Sequence, residues 1–168
     1  MKAIGAVFVV VALTIGITLF VGPALSQNTA PSGSGSTPAN NMDIMRQKIQ
    51  ADKKAFIAQN MQLTQAEANA FWPVYDQLQK GLVGLGDRLA ADVQEYAANY
   101  QSLSDATAKK LTEDYLAIQG DRVKLLQSYL PKFRAVLPEK KVARYYQLEN
   151  KAYAIVLYDL MRQIPLVK

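Results

Sequence analysis

The sequence predicts an all-α protein: a long, bent antiparallel helical hairpin with a helix on either side of it. Two observations carry most of this. Large side chains recur at Phe71, Tyr75, Leu78, Leu82, Leu85, Leu89 and, past a polar Asp92, Tyr96, a heptad seam of alternating four- and three-residue steps. A second seam with the same steps follows at Leu111, Tyr115, Ile118, Arg122, Leu125 and Tyr129. Only a short link around Gln101–Leu103 separates them, so the two helices run antiparallel. From Met42 onward no segment alternates as a strand would.

Residues 1–26 read as an export signal. Lys2 precedes an uncharged apolar run, Ala3–Val21, then Gly22, Pro23 and the small-residue pattern Ala24-Leu25-Ser26. The run is also long enough for an uncleaved membrane anchor, and in both readings the remainder is exported. Residues 27–41, QNTAPSGSGSTPANN, lack charge and large apolar groups, the composition of a flexible linker. The helical domain spans residues 42–168.

Its first helix is expected over Met42–Met61, with Met45, Ile49, Phe56 and Ile57 on the apolar side. Thr64-Gln65-Ala66-Glu67 has the form of a capping box and starts the second helix; Ser104 caps the third. Folding the hairpin on one register sets Leu85 near Ile118, Leu78 near Leu125 and Gly84 opposite Gly120, with Arg122 facing Leu82. Gly81, Gly84, Gly86 and Gly120 then read as a hinge, at roughly 1 kcal/mol lost per helical glycine. Gly86 is followed by Asp87-Arg88 rather than Lys-Ser/Thr, so this is no Walker loop. Pro73 and Pro131 should bend both helices at one level. Leu137-Pro138-Glu139 starts the last helix, with Val142, Tyr145, Leu148, Ala152 and Ile155 on one side and Tyr146, Tyr153, Leu157 and Leu160 on another. Two apolar sides favour a homodimer or an exposed apolar binding surface.

The chain has neither histidine nor cysteine. The common general base, the thiol nucleophile and the usual zinc ligands are therefore missing, and the reading is a protein that is not an enzyme and needs no cofactor. Charge is uneven: residues 42–119 hold 8 basic and 10 acidic groups, residues 120–168 hold 10 and 4. The basic C-terminal part suits acidic protein partners or an anionic membrane surface; export argues against nucleic acid. Candidate contact residues are Trp72, Lys140, Lys141, Arg144, Tyr146 and Lys151.

The two helix starts, Leu63-Thr64-Gln65-Ala66-Glu67 and Leu137-Pro138-Glu139-Lys140-Lys141, resemble the LTxxQ motifs of the Spy/CpxP family of periplasmic proteins. Glu67 stands where that family carries glutamine and Leu137 where threonine is usual. The resemblance implies that the bent hairpin pairs with a second copy as a dimeric cradle. It also implies an ATP-independent chaperone of the envelope stress response, holding unfolded clients on a basic, partly apolar concave face, or an accessory protein docking one folded envelope partner. It implies a structural role for Leu63, Thr64, Glu67, Leu137, Pro138 and Glu139.

Overall fold

The computed structural model describes residues 38–167, with side chains from residue 47 onward. The expected signal at 1–26 and most of the expected linker lie outside these residues. The described chain is helical: α1 (Pro38–Met61), α2 (Gln65–Asn99), a 3₁₀ turn (Tyr100–Ser102), α3 (Asp105–Arg134) and α4 (Glu139–Met161), with no strand among the described residues. The first helix starts at Pro38, four residues before the expected Met42, and proline at a first helical position loses no intrahelical bond. Among the described residues no helix is long and apolar enough to cross a membrane.

The described chain divides into two compact units, the first ending at Phe56 and the second starting at Ile57. In the first, α1 is polar along its described length: Lys48 pairs with Asp52 at 3.2 Å, and Ile49, expected on an apolar side, is exposed. The second unit begins with the last turn of α1, where Ile57 and Met61 are fully buried.

Local sequence sets where each helix of the second unit begins. The Thr64 hydroxyl accepts from the Glu67 backbone N–H at 3.3 Å, and the Thr64 N–H donates back to the Glu67 carboxylate at 2.7 Å, completing the capping box. Ser104 accepts from the Thr107 N–H at 3.1 Å. At α4, Pro138 is the cap residue and Glu139 lies in the first turn, where the helix dipole favours an acid. Pro73 and Pro131 both sit inside continuous helices, each removing one backbone donor.

The hairpin is antiparallel, pinned by Glu95–Lys110 and Arg88–Asp121 ion pairs, both 2.8 Å, and by Leu125 resting on Gly81. Here the sequence expectation needs correcting. A Cβ on Gly84, Gly86 or Gly120 would meet nothing within 4 Å, so Gly84 and Gly120 do not mark a close approach. The close approach is at Gly81, where a Cβ would lie 2.8 Å from Leu125 Cδ2. α2 runs unbroken through all three of its glycines.

α4 lies along the hairpin and touches both of its helices. Tyr146, Asn150 and Tyr153 meet Leu126, Arg122 and Gln119 in turn, so α4 is antiparallel to α3. Lys141, Glu149 and Pro165 meet Glu67, Gln79 and Tyr96, so α4 follows the direction of α2. Arg122, expected opposite Leu82, carries its head group to α4. Its guanidinium lies 3.7 Å from the centre of the Tyr153 ring, on the α4 side.

The buried side chains gather at one end. Phe71, Tyr75, Phe133 and Tyr145 form an aromatic cluster, with ring centres 4.5 Å apart for Phe133–Tyr145, 5.3 Å for Phe71–Tyr145 and 5.6 Å for Phe71–Phe133. Ile57, Met61, Leu78, Ile118, Leu126, Leu137, Val142 and Leu148 complete the apolar core. Each such ring pair adds about 0.5–1.5 kcal/mol beyond its buried area. No buried apolar residue is found beyond Leu78 on α2 or before Ile118 on α3, so the turn end of the hairpin has little core of its own.

Candidate functional site

The outward side of α4 carries the most distinctive surface. Lys140, Arg144, Gln147, Lys151, Ile155, Tyr158 and Arg162 follow one another at steps of three or four residues, and all are exposed. That spacing aligns them on one helical line of about 33 Å, at ~1.5 Å rise per residue. Of α4's acids, Glu139 pairs with Arg134 at 2.6 Å, Asp159 pairs with Arg162 at 3.2 Å, and Glu149 is buried. The unneutralised charge of the line is thus concentrated at Lys140, Arg144 and Lys151.

Beside this line lies an open recess of about 310 Å³, lined by Gln59, Asn60, Gln62, Arg144, Gln147, Leu148 and Lys151. It forms where the end of α1 and the turn after it face α4. Arg144 donates to the Asn60 carbonyl at 3.5 Å, a long bond that leaves most of its guanidinium free to move. Four amide side chains and two cations, with no carboxylate in the lining, suit a peptide backbone bearing acidic groups.

The six contact candidates read from the sequence separate into two groups. Arg144 and Lys151 share the recess, and Lys140 is exposed one turn before Arg144. The other three are committed to the fold. Lys141 donates to the Glu67 carboxylate and, at 3.0 Å, to the Gln62 carbonyl. Tyr146 donates to the Leu126 carbonyl at 2.7 Å and packs edge-on against Phe133. Trp72 is half-buried with its ring against Phe71 and Tyr75, at 5.0 and 5.2 Å.

Lys141 joins the two helix-start motifs. Its bond, with that of the Thr64 N–H, holds the Glu67 carboxyl below its ordinary range. Among the helix-start residues Leu137 is buried, Leu63 is half-buried, and Pro138 and Glu139 are exposed. The glycines stand apart from the recess, along the hairpin.

Sequence reasoning missed the recess amides and a buried polar network. Gln79 donates to the Glu149 carboxylate at 3.1 Å, and the Tyr145 hydroxyl reaches the same oxygen at 3.4 Å. Burial, then the Glu149 charge, pushes the Tyr145 and Tyr75 hydroxyls well above their usual range. The only signal for Glu149 was an acid adjoining Leu148 on an apolar face. Among the described residues no group of three or more acidic side chains could hold a metal ion.

No protein-family model, curated protein or solved structure matches the chain at a significant level.

Proposed function

We propose that this is an exported, non-enzymatic binding protein of the periplasm, similar to the Spy/CpxP family, that holds unfolded stretches of envelope proteins without nucleotide or any other cofactor. The observation that carries the reading is the pairing of Arg144 and Lys151 with an amide-lined recess free of carboxylates. Unfolded chains present unpaired peptide groups, which amide side chains satisfy, and acidic groups, which the cations attract. Exposed Ile155 and Tyr158 extend the line with apolar area for the client's side chains. The lack of histidine and cysteine supports a role without catalysis. A homodimer, with two such lines forming a cradle, is supported by Leu116 and Val123, 62% and 52% exposed at i and i+7 on α3.

The test is light scattering from an aggregating, chemically unfolded client, with the purified protein added in the absence of nucleotide. Suppression at near-stoichiometric amounts, weakened by Arg144→Glu with Lys151→Glu, is the expected result. No suppression at several-fold excess would sink this reading and favour docking of one folded envelope partner. Binding of the protein to anionic vesicles but not to clients would point instead to a membrane surface.

A further inference from the structure

Asp92 interrupts the apolar seam of α2, at a position where the pattern calls for a leucine. Its Oδ2 is buried and has no hydrogen-bond partner. The charges acting on it come from both helices of the hairpin: Asp114 and Lys110 from α3, Glu95 and Arg88 from its own helix. Both cations are already engaged. Lys110 bonds Glu95 at 2.8 Å and Asp114 at 3.0 Å, while Arg88 bonds Asp121 at 2.8 Å. The seam acid is therefore left desolvated, facing a second carboxylate, with no cation of its own.

We infer that Asp92 makes the turn half of the α2–α3 hairpin pH-responsive, loosened at neutral pH and tightened as acidification approaches the ordinary carboxylate range. A neutral carboxylic acid at this point relieves the repulsion from Asp114 and lowers the desolvation penalty. Burial and Asp114 both push the Asp92 carboxyl above its ordinary 3.8. A group raised on folding contributes its stability in full below the unfolded value, and loses it as pH rises through the folded one. Acid thus adds stability here, against the trend for Glu67 and Asp121, whose carboxyls are held low. The turn half has no other buried apolar seam to mask the effect. For a protein in the periplasm, the controlling variable would be the pH of the surroundings.

The test compares thermal unfolding of the full chain and of Asp92→Asn and Asp92→Leu variants from pH 7.5 down to 3.8, together with a carbon NMR titration of the Asp92 carboxyl. On acidification the wild-type midpoint is expected to rise relative to both variants, and at pH 7.5 both match or exceed wild type. The carboxyl titrates above 3.8, and Asp114→Asn moves that titration downward. Variants that keep the full wild-type rise, or a carboxyl titrating at or below its ordinary value, would overturn the inference. Should a variant fail to fold, the titration of the wild-type carboxyl decides alone.

Discussion

Glu67 on α2 accepts a hydrogen bond from Lys141 on α4, and each is the third residue of its helix. The pair is well covered, with 18% and 27% of the two side chains exposed. A lysine at the start of a helix opposes the dipole, and the Glu67 carboxylate offsets that. Lys141→Met keeps the stem and removes the charge; it is expected to lower the thermal midpoint. In a double-mutant cycle with Glu67→Gln the two losses should fall well short of additive, since each variant breaks the same contact.

The pH dependence of that pair has a definite sign. A carboxyl lowered on folding contributes stability above its unfolded value and loses it as pH falls through the folded one. The ordinary value for Glu67 is 4.5, so its contribution should hold at neutral pH and decline in stronger acid. Unfolding midpoints of wild type and Glu67→Gln should therefore converge below that pH. A constant gap down to pH 2.5 would refute the assignment.

The glycines should not behave alike. Gly84→Ala and Gly120→Ala add a methyl into open space and are expected to stabilise by about 0.5–1 kcal/mol each, the helix-propensity difference. Gly81→Ala forces Leu125 to rotate, so its gain should be smaller or absent. Gly81→Leu overfills the contact and should destabilise by about 1–3 kcal/mol. Urea midpoints of the four variants check the order.

Tyr146→Phe tests whether this ring belongs to the fold or to a client. Losing its bond to the Leu126 carbonyl should reduce stability by about 1 kcal/mol and leave client capture intact. Phe133→Ala, at the centre of the ring cluster, should lose about 3–5 kcal/mol.

Charge reversal must spare Lys141 if it is to report on binding. Lys140→Glu, Arg144→Glu and Lys151→Glu together should weaken capture most at low salt, with the far-ultraviolet circular dichroism unchanged. Including Lys141→Glu would confound the assay, because Glu67 would then face a like charge. A capture curve equally steep in salt before and after the triple reversal would argue against the α4 line.

What was legible in the sequence was local. Thr64-x-x-Glu67 and Ser104 are read within one turn, and the heptad spacings give each helix a face. Periodicity does not say which neighbour covers that face, so the spacing gives no sign that the Arg122 guanidinium ends over Tyr153. The register was close, yet Leu125 sits one turn from its expected partner, on Gly81. In the sequence Lys141 groups with its basic neighbours, because its partner is 74 residues away and no local pattern encodes that distance. The recess is invisible for the same reason: three of its amides come from the end of α1 and the turn after it, and its cations and Gln147 from α4.

The one-sided core makes the hairpin a molecule with two kinds of fastening. Rings close the end near Phe71 and Phe133, whereas the turn end depends on Arg88–Asp121 and Glu95–Lys110, both partly open to water. Added electrolyte screens those pairs and leaves the rings unaffected. Fraying under warming or dilute denaturant should thus begin beside Tyr100 and travel toward the rings, with backbone amides exchanging in that order. A protease would find its first cut there, and the surviving fragment would be the aromatic end with α4 still attached.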